Sequence, residues 1–506
     1  MRILLLTLLS LTCCFTGNAA IWYVSPSGSG SQNGSSWANA AAGSNLQTII
    51  DNAATNDQVW VMCGTYITTT TNDRNSSFHM RSGVAIYGSF AGTETLLSQR
   101  ALACGPCSTL SGEIGAAGNS DNSYRVVSNS TGVNNTAVLD GFIVEGGNDD
   151  RNPTGNEGLG GGIFNNGEYN SNNCSPTIRN CLIRNNAAQF GAGIFNSGHS
   201  GGTASPVIEN CIITGNTAYL GGGGIDNFGL GGTASPTLTN CLVVNNTALD
   251  RAGGMYCWGG NNGNANPVIM NCVFANNAAI DGGGLVSDRE NAPPGSYSGN
   301  SNPVIINSIF RGNSASGTGD QFFLIGDATF NATYTNIDLT DHQTLPHVVS
   351  GPGTGNSTVD PLFTNAANPI GTDNCWLTAD DGYSLQSLST LINAGILSGA
   401  PLTDIRDSLR TGNPDIGAYE YQAPSVAAIA ESEITAFVLS PNPASEQLTI
   451  TFEDGEMHMV ELIDPTGKTL VSTHAQQSEA IDIRALNSGV YFIRTDGIST
   501  ARWLKE

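Results

Sequence analysis

Between residues 175 and 279 one fourteen-residue phrase is written four times: SPTIRNCLIRNNAA, SPVIENCIITGNTA, SPTLTNCLVVNNTA and NPVIMNCVFANNAA. The match is positional. Cys181, Cys211, Cys241 and Cys272 are each preceded by an asparagine (Asn180, Asn210, Asn240, Asn271). Each is followed five residues later by another (Asn186, Asn216, Asn246, Asn277), and Pro176, Pro206, Pro236 and Pro267 stand five before. A fifth copy, NPVIINSIFRGNSA, puts Ser308 in the cysteine slot, so successive units are 30, 30, 31 and 36 residues apart. A near-constant period of this length belongs to solenoids, propellers or arrays.

The interior of the unit chooses among these. Runs such as CLIRN, CIITG and CVFAN alternate with the two-residue rhythm of strands, and no unit holds an amphipathic run long enough for a helix. Glycine clusters with one aliphatic (GAGIF, GGGGI, AGGMY, GGGLV) permit sharp corners and close backbone approach. The expected unit is one coil of a parallel β-solenoid, with equivalent positions stacked about 4.8 Å apart along its axis. Stacking makes the cysteine row a column of small core residues and the asparagine rows hydrogen-bonded ladders at inward turns. These rows are therefore read as structural.

The units resemble right-handed parallel β-helix proteins of the pectate-lyase-like superfamily. The GGGI, FANN and FRGN pieces are similar to the repeats of polymorphic outer-membrane proteins. IWYVSPSGSGSQNGSSWANA, VWVMCGTY and VAIYGSFAGTETLLSQR resemble the opening coils of that group, and DPLF, YSLQSLSTLINAG and PDIGAYEY its closing coils. The resemblance implies an all-β fold, a right-handed parallel β-helix over 21–422. It leaves activity open, because this fold hosts lyases, hydrolases and adhesins alike.

Residues 1–20, MRILLLTLLSLTCCFTGNAA, read as a secretory signal peptide, and no other apolar stretch approaches a membrane span. After PDIGAYEY the composition shifts to an Ala/Ser/Glu linker over 423–435. Residues 436–506 then alternate as seven short strands separated by NPAS, EDG, PTGK and NSG turns, a small β-sandwich. SPNPASEQLTI, ELIDPTGKTL, LNSGVYFIRT and RWLKE resemble the C-terminal sorting domain of type IX secretion cargo. That resemblance implies the type IX machinery as partner, and a secreted or outer-membrane surface location in a Gram-negative bacterium of the Bacteroidetes type.

The net charge of −24 argues against nucleic acid as a partner. Lys468 and Lys505 are the only lysines, so the β-helix holds no lysine nucleophile. The CGPC at Cys104 and Cys107 lacks the context of a redox motif and reads as a local loop disulfide.

Two functional readings remain. A lyase would need a base and calcium oxygens. Without lysine the base falls to an arginine, Arg179, Arg184, Arg251 or Arg289, with Arg251 and Arg289 the catalytic candidates. Asp250 and Asp281, at equivalent places in adjacent coils, are the candidate Ca²⁺ ligands, with Asp288 and Glu290 also able to supply oxygens. A binding protein asks less: the unequal loops carry Tyr169, Phe228, Tyr256, Trp258 and Tyr297 among Gly, Ser and Asn, a composition suited to sugar stacking or protein contact. Tyr256, Trp258, Asp288 and Glu290 are the expected binding residues. An adhesin-like or glycan-binding surface protein, meeting polysaccharide or a host or cell-surface ligand, leads; a polysaccharide lyase is the alternative.

Overall fold

A computed structural model describes residues 19–289, 299–338, 354–423, 437–452, 455–464, 468–495 and 499–505. Residues 1–18 of the expected signal peptide, most of the 423–435 linker, Glu290 and Tyr297 lie outside the described residues. The chain divides into two compact units, 1–421 and 422–506.

The first unit is a parallel β-helix. Each central coil contributes four short strands, for example Val207–Glu209, Ile212–Thr214, Thr217–Gly221 and Ile225–Phe228. Stacking builds parallel sheets of eleven, nine, six and seven strands. In the eleven- and nine-stranded sheets the repeats keep register: Ile178, Ile208, Leu238, Ile269 and Ile305 align in one row, and Ile183, Ile213, Val243, Phe274 and Phe310 in another. These rows fill the bore together with the cysteines. A helix absent from the sequence reading, Leu46–Asn52, turns Leu46 and Ile50 into the same core beside the first coils.

The repeat rows do what stacking predicts, with one correction. Asn186, Asn216, Asn246, Asn277 and Asn313 form a buried amide ladder, each Nδ2 donating to the next Oδ1 at 2.8–3.1 Å. Asn180, Asn210, Asn240, Asn271 and Asn307 form a looser, interrupted ladder, in which Asn210 Nδ2 donates to Asn180 Oδ1 at 3.3 Å, Asn240 Nδ2 to Asn210 Oδ1 at 3.1 Å and Asn307 Nδ2 to Asn271 Oδ1 at 3.3 Å, at the turn between two sheets rather than inside the bore. They occupy the left-handed region (φ 50–53°), which asparagine tolerates and which turns the chain between two sheets. The amides of Asn240 and Asn271 are also met by the chain's own later residues. The cysteines of the row are buried free thiols; burial among apolar atoms raises those of Cys211 and Cys272.

The closing segments are not further coils. Residues 360–421 fold back along the outer face of the nine-stranded sheet. Tyr383, Leu385, Leu391, Ile405, Ile416 and Tyr419 bury Leu182, Ile212, Leu242, Val273 and Ile309 in a second core. The turn asparagines anchor this wrap: Asn240 Nδ2 donates to the Thr403 carbonyl and Asn271 Nδ2 to that of Asp415. Nor is the CGPC pair a local disulfide. Cys63 and Cys107 precede paired strands of stacked coils and bond to each other, while Cys104 is met by the wrap and bonds to Cys375. Coil stacking, not chain proximity, chose the partners.

In the second unit, sheets of three and four antiparallel strands enclose Leu448, Ile450, Val460, Leu462, Ile481, Ile493 and Trp503. Its seven strands run from Phe437–Ser440 to Ser499–Lys505.

Candidate functional site

Strand alternation sends every second residue of the seven-stranded sheet outward. The inward row holds Asn165, Asn196 and Asn227, a third ladder closed at 2.8–2.9 Å that sequence reading missed. The flanking outward rows are unlike one another from coil to coil. One runs Phe164, Phe195, Asp226, Tyr256, Val286, Phe323, and the other Asn166, Ser197, Phe228, Trp258, Asp288, Ile325. Phe228, Tyr256 and Trp258, expected in loops, are thus strand residues. Their two-residue spacing in IDNF and MYCW is the signal that sets them side by side.

Over these rows lie two adjoining cavities that share Phe190 and Trp258 as walls. The first, about 300 Å³, is lined chiefly by Glu168, Phe195, His199, Asp226 and Phe228, with Tyr169 at its rim. Its rings are contiguous: Phe195 to Phe228 at 6.1 Å, His199 to Phe228 at 5.5 Å and Phe228 to Trp258 at 5.0 Å between centroids. The second, about 430 Å³, is lined by Leu220, Asp250, Arg251, Tyr256, Asp288 and Ile325.

Electrostatics within this groove are acidic and incompletely satisfied. Glu168 and Asp226 are 4% and 2% exposed, yet Glu168 Oε2 and Asp226 Oδ2 have no hydrogen-bond partner; neither do Trp258 Nε1 and Arg251 Nε. Glu168 is held by its other oxygen, which accepts from Ser197 Oγ at 2.7 Å. Burial alone pushes the Asp226 carboxyl well above the usual carboxylate range. The Tyr256 hydroxyl donates to Asp288 Oδ2 at 2.8 Å, and burial, with that carboxylate second, raises the phenol. Arg251 stands 3.9 Å from the same Asp288 oxygen. A buried polar atom without a partner costs about 1–3 kcal/mol, and the four residues that carry these atoms line the two cavities.

Of the residues expected from sequence, Asp250, Arg251, Tyr256, Trp258 and Asp288 come together here. Arg289 ends the strand that carries Asp288 but lines neither cavity. Arg179 and Arg184 pair with Asp140 and Glu145 at 2.6 and 2.8 Å and serve the coil. Asp250 and Asp281 do lie on adjacent coils, the Asp281 N–H donating to the Asp250 carbonyl. They do not fit a calcium shell of six to eight oxygens. Asp281 Oδ1 accepts from the Thr318 N–H at 2.8 Å, and among the described residues no three acidic, histidine or cysteine side chains form a group that could hold a metal ion. Glu168, Phe190, Phe195, His199 and Asp226 are site residues that sequence reading missed.

The chain is similar in structure to pectate lyase Pel9A (TM-score 0.38, 15% identity, 80% of this chain and 96% of that one). It is likewise similar to a rhamnogalacturonan lyase (TM-score 0.34, 13% identity, 73% and 97%). No curated protein matches its sequence. Residues 439–503 match the family of the secretion system C-terminal sorting domain, so the second unit carries the type IX sorting domain that its strands resemble.

Proposed function

We propose that the β-helix is a glycan-binding domain that the sorting domain delivers to the cell surface, and that a saccharide lies in the groove over Phe190, Phe228 and Trp258. The observation that carries this reading is the pairing of an aromatic wall with unpartnered buried polar atoms of both kinds, acceptors on Glu168 and Asp226 and a donor on Trp258. Sugars present apolar C–H faces and a rim of hydroxyls, which is the complement of such a wall. The uneven outward rows support it too. Structural rows repeat; these do not, and a face kept only for stacking has no reason to change from Phe195 to Asp226 to Tyr256.

The test is retardation of the full chain in native gels cast with neutral, uronate or amino-sugar polysaccharides. One polymer class should slow the chain, and Trp258→Ala should weaken that interaction about 10- to 30-fold, as loss of a central aromatic anchor does. Migration unaffected by every polymer would sink the reading. Unsaturated sugar ends appearing in the uronate gels would replace it with the lyase alternative.

A further inference from the structure

Among the described residues, six cysteines are free thiols, and all six are buried in the bore. The other four are bonded, and solvent reaches them: Cys104 and Cys107 are exposed, Cys63 and Cys375 half-buried. Thiol–disulfide exchange needs access as well as a thiolate, so in the folded chain it is confined to these four.

Two of the four stand three residues apart in Cys104-Gly105-Pro106-Cys107, a spacing at which a disulfide closes within one loop. Each is bonded outside the motif instead, Cys107 to Cys63 and Cys104 to Cys375. The fold relies on these two bonds unequally. Beside Cys63–Cys107 the backbone already joins the coils. The Cys63 N–H donates to the Phe90 carbonyl at 2.8 Å and the Gly64 N–H to the Cys107 carbonyl at 3.0 Å, and Gly64–Ile67 then pairs with Ser108–Ser111. Cys104–Cys375 ties the wrap to a loop, and the backbone adds one isolated bridge there, between Cys104 and Trp376. A cavity of about 320 Å³ adjoins this tie, lined by Leu102 and Ala103 before Cys104 and by Leu377 after Cys375. The wrap is thus held at this end by a bond more than by packing.

We infer that Cys104–Cys375 is a thiol-exchange site, at which an external dithiol unclips the wrap and the CGPC motif takes up the disulfide that remains. The dithiol passes two electrons and two protons to the Cys104–Cys375 bond and closes into its own disulfide, leaving two protein thiols. Cys104, as its thiolate, then attacks the sulfur of Cys107. The Cys104–Cys107 bond forms, the Cys63–Cys107 bond breaks, and Cys63 takes the proton that Cys104 gave up. One protein disulfide is consumed and the other has moved into the loop.

The chain permits this transfer once Cys104 is released. Three residues reach at most about 11 Å when extended, so Cys107 carries the nearest disulfide along the chain. Between them Gly105 sits at φ 81°, a conformation open to glycine, which lets the loop turn one cysteine toward the other. The coils keep their strand pairing throughout, and the wrap loses its one disulfide among the described residues. Its start is freed while Leu385, Leu391 and Tyr419 stay packed in the second core.

The experiment is graded reduction of the full chain with dithiothreitol, with acid quenching, alkylation of free thiols and peptide mapping at each concentration. The first product should carry label on Cys63 and Cys375 and a disulfide between Cys104 and Cys107. A first product labelled on Cys104 and Cys375 with Cys63–Cys107 intact, or labelled on Cys63 and Cys107 with Cys104–Cys375 intact, overturns the inference. Hydrogen exchange on the rearranged chain should quicken about tenfold over 371–377, as for a segment that opens by itself, and stay unchanged over 64–67 and 108–111. Unchanged exchange over 371–377, or quickening in those two strands, overturns the unclipping.

Discussion

At the scale of single residues, stacking converts a weak preference into a strong constraint. Asn246 is the clearest case. Its Nδ2 donates to Asn277 Oδ1, the Ile213 carbonyl and the Val244 carbonyl, and its Oδ1 accepts from the amide and backbone of Asn216. An alanine there orphans partners on both neighbouring coils in the buried bore. Asn246→Ala should lower the unfolding free energy of the β-helix by about 3–5 kcal/mol, read from urea denaturation. Such a role was legible in the chain, because an asparagine recurring in step with a cysteine five residues before it has to meet its own copies. Asp226 was not legible. Only its alternation with Phe228 marks it as outward, and its burial comes from rings some thirty residues away on either side.

At the scale of elements, the returning wrap is the feature that coil counting misses. PDIGAYEY and its neighbours have the apolar spacing of a coil, but the groups they carry suit the outer face: carboxylates that collect backbone N–H donors. Asp381 accepts from the Leu377 N–H and the Tyr419 hydroxyl, and Asp415 from the backbone N–H groups of Asn393 and Tyr421. Burial, against those bonds, raises both carboxyls to about 6. Because the folded pKa lies above the ordinary 3.8, the folded wrap holds protons that the unfolded chain has released. Their contribution is complete below about pH 4 and is lost as pH rises through about 6. Hydrogen exchange across 377–421 should therefore quicken between those values, by an amount equivalent to about 1–3 kcal/mol per carboxyl. Asp381→Asn, which keeps an acceptor oxygen, should remove its share of the slope.

At the scale of the whole molecule, two units divide the work: the second carries the match to a sorting domain and the first carries the groove. Deleting 437–506 should leave the β-helix folded but keep it from the cell surface. Protease added to whole cells should digest the intact protein and spare the truncated one.

The sequence by itself determined the coil, its make-up from short strands, the stacking of its bore and the existence of a separate C-terminal sandwich. Each of these follows from residues that recur at one spacing or alternate along one strand. Tertiary structure decided the rest. It paired Cys104 with Cys375, laid the wrap on the turn asparagines, and buried Glu168 and Asp226 along a cavity that Trp258 also lines. The physical reason is one of direction. Along the axis the period brings equivalent residues to within a strand spacing, so their contacts can be read from the chain; outward from the coil the period imposes nothing, and there the folded surroundings alone determine what a side chain meets.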